Sequence, residues 1–267
     1  MHPALRWIVV LLVVIVAGGA FYYFWQNRQK PEPPPVPPAA EVTPPASSAP
    51  VVQHPIEEAT GESKEAALPA LNDSDGPLRD ALGGVFSKSA LEQYFITDGL
   101  ARRVVATVDA LPRKSVPQRV MPVKPVPGPF ATAGQAEGLL ISRDNAARYA
   151  PYLRLAEATD TRALVAVYVR FYPLLQQAYA ELGYPNGYFN DRLIAAIDDM
   201  LAAPEAPDSV PLVQPKVLYA YADPELEALS AGQKIMVRMG KENEARAKAK
   251  LRDIRRALTA KSAQPSP

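Results

Sequence analysis

The stretch DTRALVAVYVRFYPLLQQAYAELG, residues 160–183, decides the fold. Leu164, Val167, Phe171, Leu174, Leu175, Ala178 and Leu182 recur three or four positions apart, the spacing that puts apolar side chains on one face of a helix with 3.6 residues per turn. Asp160 stands where a side-chain oxygen caps the first turn, and Gly183 where the chain can leave the helix. So wide a stripe predicts a central element with other helices packed on it. Pro173 inside it would cost about 3 kcal/mol in an isolated helix and predicts a kink that packing offsets.

The same periodicity continues on both sides. Downstream, Asn190 is a candidate cap with Asp191 in the first turn, and Leu193, Ile194, Ile197, Met200 and Leu201 form the apolar stripe of the next helix. Upstream, a helix is predicted after Ser142, carrying Tyr149, Tyr152 and Leu153, another from about Thr97 with Leu100, Val104, Val108 and Leu111, and a short one opened by Asp75, Gly76 and Pro77. From Val210 the chain starts extended, because Pro211 and Pro215 break any helix, and turns helical after Asp223 and Pro224. A last helix from about Lys241 to Leu258 has Leu251, Ile254 and Leu258 on its dry side. It carries seven basic against three acidic side chains, read as a solvated face on a docked helix, with membrane-surface binding as the alternative. The sum is a mainly α domain over residues 71–260, with long irregular Pro-rich loops and a disordered tail over residues 261–267.

Two loops of that domain hold the candidate binding residues. In YPNGYF, residues 184–189, Pro-Asn-Gly is a turn, and the rings either close the corner between two helices or stack on a sugar or grip a peptide. The candidates are Tyr184, Asn186, Tyr188, Phe189 and Asp191. In LPRKSVPQRVMPVKPVPGPF, residues 111–130, prolines are too dense for helix or central strand, so the segment must be a strap laid over the domain. Arg113, Lys114, Arg119 and Lys124 make it basic; Arg119 and Lys124 are its candidate contacts to an anionic partner, unless the strap packs its Val and Pro inward and turns its charges to water.

What precedes the domain is of another kind. WIVVLLVVIVAGGAFYYFW, residues 7–25, has no charge, and at 1.5 Å per residue covers about 28 Å, enough to span a bilayer core. Aromatic residues at its exit and Trp7 at its entry fit the membrane interfaces, although Gly18, Gly19 and Ala20 also suit a cleaved signal peptide. Residues 1–6 form a short tail. Residues 31–70 hold eleven of the 29 prolines and six glutamates against one lysine, a composition that predicts a disordered, solvated linker.

Composition closes several routes. Net charge is +1, from 29 basic and 28 acidic residues, which argues against nucleic-acid binding. There is no cysteine, and the two histidines, His2 and His54, lie outside the predicted domain, leaving it no imidazole for base chemistry or metal ligation. No phosphate loop, nucleophile elbow or metal-binding helix is present, and no cofactor is expected. A glycan-cleaving carboxylate pair would be drawn from Glu181 and Asp191. Asp198 and Asp199 are no such pair, since consecutive helical side chains diverge by about 100°.

VPGPF at Val126, RYAPYLRL at Arg148, YPLLQQAYAELGYPNGYFNDRLI at Tyr172 and LVQPKVLYAYADPELEALSAGQKIMVRMG at Leu212 resemble the bacterial family known as domain of unknown function 3014. The resemblance runs from the membrane segment to about Leu258. It implies a membrane-anchored bacterial protein with a helical domain, and brings no activity, cofactor or catalytic residue with it. The expectation is a single-pass protein of the bacterial inner membrane with a periplasmic domain that binds an envelope protein or a wall component. The alternative is an envelope enzyme acting on glycan or peptide through carboxylates.

Overall fold

The computed structural model describes residues 51–56, 68–135 and 138–260. The chain divides into two units, Met1–Ser48 and Ala49–Pro267. The first lies outside the described residues, as do the expected membrane helix over 7–25, most of the linker and the tail over 261–267. Among the described residues no helix is long and apolar enough to cross a membrane.

The described chain is mainly helical. A 3-10 turn at Leu71–Asp73 leads into α1 (Asp75–Gly83), α2 (Lys88–Tyr94) and α3 (Leu100–Ala110). After the strap come β1 (Thr132–Ala133), β2 (Leu140–Ile141), α4 (Asp144–Ala147), α5 (Ala150–Ala158), α6 (Thr161–Glu181) and α7 (Phe189–Leu201). The chain closes with β3 (Leu212–Val213), β4 (Ala220–Tyr221), α8 (Pro224–Ala228), α9 (Ala231–Met239) and α10 (Lys241–Thr259).

The centre is α6, packed against α3, α7 and α10. It begins and ends as its sequence dictates: Asp160 accepts a hydrogen bond from the Ala163 amide at 2.7 Å, and Gly183 takes a φ of 116° that a side chain would resist. Pro173 lies on the exposed side, where water can satisfy the backbone acceptor it leaves without a donor. Phe171, Leu174, Leu175 and Ala178 are buried as expected, joined by Tyr172 and Tyr179. Leu182 is not: the last residue of the stripe falls past the final turn and stands 43% exposed.

Two further differences have local causes. The helix expected from Thr97 starts at Leu100, because Gly99 is left-handed at φ 63° and the Asp75 carboxylate accepts from the amides of Gly99 (2.7 Å) and Leu100 (3.0 Å). The helix expected after Ser142 is broken at Arg148 into α4 and α5. The seven residues of α2, capped by Ser87, were not anticipated.

The strands form two antiparallel pairs, Thr132 opposite Ile141 and Leu212 opposite Tyr221. They meet where the Leu212 amide donates to the Leu139 carbonyl (2.8 Å) and that of Ile141 to Val210 (3.0 Å). Apolar side chains from this patch, among them Val210, Leu212 and Tyr221, cover Val237 of α9.

α10 docks Leu258 on Val165, Ile194 and Ile197. Its cations are largely engaged: Arg246 with Glu157 (2.6 Å), Arg255 with Asp198 (2.6 Å), and Lys248 with the buried Glu244 (2.6 Å).

Candidate functional site

The strap of residues 111–130 is irregular apart from a 3-10 turn at Gln118–Val120, and its chemistry explains how it is held. Proline has a carbonyl but no amide hydrogen, so a proline-rich segment offers acceptors with few donors to match. Side chains of the body supply the donors. Arg148 donates to the carbonyls of Gly128 (2.7 Å), Pro127 (3.1 Å) and Val126 (3.4 Å) while also bonding Asn145 (2.7 Å). The Tyr152 hydroxyl reaches the Lys124 and Pro125 carbonyls at 3.2 Å, Thr107 reaches Val120 at 3.0 Å, and Arg103 donates to the carbonyl of Arg119. Two of the strap's own cations turn back to carbonyls, Lys124 to Glu92 and Lys114 to Ala228. Arg113 pairs with Asp109 at 2.7 Å, and the Arg119 side chain stands exposed.

Between α6 and α7 the sequence YPNGYF folds as a turn, with the Gly187 amide donating to the Tyr184 carbonyl at 3.0 Å. Gly187 is required there: a Cβ would sit 2.8 Å from the Tyr179 ring. Tyr184 stacks on Tyr179 at 4.7 Å, its hydroxyl accepting from Arg113. Phe189 is 0% exposed, below the surface and unable to touch a ligand. Asn186 is exposed at the tip. The rings therefore close the corner, with the Tyr184 hydroxyl turned to Arg113 and the Tyr188 hydroxyl left for other partners.

Asn190 does not cap α7, correcting the sequence expectation. Tyr188 occupies the cap position, and Gln176 of α6 does the capping from the neighbouring helix. Its Oε1 accepts from the Phe189 amide (2.8 Å) and from Tyr172 (3.0 Å), and its Nε2 donates to the Gly187 carbonyl (2.7 Å). Asn190 is fully buried, and its Oδ1 accepts from the Tyr168 hydroxyl at 2.9 Å. Burial pushes the Tyr168 and Tyr172 hydroxyls well above the usual phenol range, with Tyr188 adding to it, so both stay protonated as donors.

The outward groups of this corner are occupied. The two carboxylate oxygens of Asp191 accept from consecutive amides, Gln53 (3.0 Å) and His54 (2.7 Å). Asn190 Nδ2 donates to the His54 carbonyl (2.8 Å), and the Tyr188 hydroxyl accepts from the Ile56 amide (2.6 Å). The Ile56 side chain packs on the core of α3, α6 and α7. Residues 51–56, which composition placed in a solvated linker, thus lie on the body. His54 comes with them, so the domain surface does carry an imidazole. Among the described residues no group of three or more His, Asp or Glu is placed to hold a metal.

The carboxylates considered for glycan chemistry have separate partners. Glu181 is bound by Arg102 (2.9 Å) and Gln177 (3.1 Å), and the Arg102 hydrogen bond holds it below the usual carboxylate range. Asp191 faces the Gln53 and His54 amides. Asp198 and Asp199 diverge as expected, one to Arg255 and the other to Ser230. Sequence reading missed Asp109, which is buried and bound by Arg113 and Arg192, tying α3 to the strap and α7. Its place four residues before Arg113 was the available signal.

The family profile described as "Protein of unknown function (DUF3014)" matches residues 100–255. The chain belongs to the DUF3014 family. No curated protein and no solved structure matches the chain. The matched region of this DUF3014 chain runs from the first residue of α3 into α10. It contains the strap and the whole of the α6–α7 corner, whereas residues 51–56, which fill that corner, precede it.

Proposed function

We propose that this DUF3014 chain is a single-pass protein of the bacterial inner membrane whose helical body binds another envelope protein, or a wall component, in the periplasm. Residues 7–25 serve as the anchor; their uncharged, apolar sequence with aromatic ends supports this. Residues 31–50 and 57–67 serve as the leash, on the strength of their proline and glutamate content. No cofactor or metal takes part.

The observation that carries the reading is the trio of Tyr188, Asn190 and Asp191. Three neighbouring residues at the start of α7 direct three accepting oxygens and one donor at polypeptide backbone. That arrangement supports a protein partner over a sugar, because it matches the successive amides and the carbonyl of a bent stretch of polypeptide. The separate engagement of Glu181 and Asp191 supports binding over carboxylate catalysis.

A photo-crosslinking amino acid at the exposed position 186, beside the corner, tests it in living cells. One discrete envelope product that disappears when Asp191 is changed to Ala is the expected result. Crosslinks indifferent to Asp191 would move the binding surface elsewhere, and a C-terminal reporter active only in the cytosol would overturn the periplasmic placement.

A further inference from the structure

We infer that the α6–α7 corner is a reader of peptides of the form x-x-Pro-aliphatic that bend at the two residues before the proline, as Gln53 and His54 do, and that residues 53–56 of the chain occupy it in cis as a displaceable ligand. The inference rests on the proposal that this corner binds polypeptide, and goes further by naming the ligand class and its present occupant.

The pattern of bonds defines the class. Every hydrogen bond described between the trio and the segment goes to backbone: the Gln53 and His54 amides to Asp191, the His54 carbonyl to Asn190, and the Ile56 amide to Tyr188. Pro55 is exposed and has no amide hydrogen, so it asks the corner for no acceptor. An ordinary residue there would lose the preset φ that fixes the course of the chain from the bend at Gln53 and His54 to Ile56. Ile56 is the apolar anchor, half-buried against the core that includes Phe189 and Tyr172. Val51 and Val52 are 85% and 42% exposed, and Gln53 is exposed as well, so side chains before His54 are not read.

Occupancy in cis follows from connectivity. Eleven residues separate Ile56 from Leu68 at the edge of the body, and a tether of that length gives an effective concentration on the order of millimolar. A free peptide of equal intrinsic affinity must compete with that concentration. A partner presenting the same pattern more tightly displaces the segment, and a second copy of the chain can supply it in exchange.

The test uses the full chain and a fluorescein-labelled VVQHPIEE peptide read by anisotropy. Replacing Gln53 and His54 with Pro together removes both donors from the cis segment and leaves the corner intact. This opened chain should bind the peptide at least tenfold more tightly than the natural chain. Asp191→Ala, or the similarly sized Asp191→Asn, should reduce binding at least tenfold in the opened chain, with circular dichroism confirming the fold. Ile56→Asn in the chain is a second way to open it and should act alike.

Equal binding to natural and opened chains would overturn cis occupancy while leaving the corner a peptide site. Binding to the opened chain that is absent, or indifferent to Asp191, would overturn the peptide reading itself. A peptide with Asn in place of Ile56 that binds as well as the original would overturn the x-x-Pro-aliphatic class.

Discussion

Two proline-containing segments lie on the helical body, and they are held mainly by opposite halves of the peptide group. The strap is gripped by its carbonyls, which Arg148, Tyr152, Thr107 and Arg103 supply with donors. Residues 53–56 are gripped mainly by their amides, which meet Asp191 and Tyr188. Density of proline accounts for the difference. A segment with six prolines in twenty residues has fewer amides to offer, so the body must present donors; one with a single proline keeps amides on both sides, and acceptors suffice. The strap is joined to α3 at one end and to β1 at the other, whereas eleven residues, 57–67, stand between residues 53–56 and the body. The strap therefore belongs to the fold, and the segment behaves as a ligand.

Truncation at the floor of the corner should break that contrast most severely. Phe189 has no exposed surface and touches the Tyr179 ring at 5.6 Å. Phe189→Ala should cost about 3–5 kcal/mol in urea unfolding, the range for a large buried side chain whose loss leaves a cavity. A loss below about 1 kcal/mol would mean the ring is a surface group after all, and would reopen it as a ligand contact.

Next in size is the strap's main tie. Arg148→Ala leaves three strap carbonyls and Asn145 Oδ1 without their charged donor, which should cost about 1.5–3 kcal/mol and speed amide exchange in α4 and α5. Arg148→Lys should recover only part of this, because an ammonium cannot reproduce the fork that spans several acceptors. Full recovery by Lys would reduce the role to charge alone.

How far these features were legible in the sequence depends on the separation of the partners. α6 could be read almost to the residue, since Asp160, the apolar stripe and Gly183 all act within one or two turns. Leu182 was misplaced because periodicity does not see where the last turn ends. The start of α7 was misread because its cap is Gln176, on another helix, and Asn190 is occupied instead by Tyr168 and His54. The corner residues were found from their types, but the direction each would face was not. Phe189 turned inward, Tyr184 lay flat on the Tyr179 ring, and Asp191 met amides 137 and 138 positions away in a segment whose composition argued for solvent. The strap's irregular course was plain from its prolines, while the identity of its donors was not.

A smaller effect separates the corner by pH. Tyr168 donates to Asn190 and so orients the amide that holds the His54 carbonyl. Its hydroxyl is raised far above 10 in the fold by burial, whereas in the unfolded chain it titrates near 10. The unfolded state therefore loses this proton first as pH rises, and the fold loses stability above pH 10: about 1.4 kcal/mol at pH 11 for one such group. Tyr168→Phe removes that dependence and should flatten the fall of melting temperature between pH 9.5 and 11. An unchanged slope would show that Tyr168 is solvated enough to ionise in place.

The smallest expected effect tests the strap from its outer side. Arg119 lines a cleft of about 410 Å³ together with Arg102, Arg103 and Glu181, a grouping that invites an anion. Yet Arg102 is bound to Glu181 and Asn72, Arg103 donates to the carbonyls of Asp98 and Met121, and the N-terminus of α3 beside them is capped by Asp75. One exposed guanidinium is left, with water as its surroundings, and a single solvated charge contributes little to stability. Arg119→Ala should therefore shift the urea midpoint by no more than the equivalent of about 0.5 kcal/mol, several times less than Arg148→Ala on the same strap. A loss as large as that of Arg148 would mean that the strap is held by its charges as well as by its carbonyls, and the contrast with residues 53–56 would then rest on charge instead of on proline.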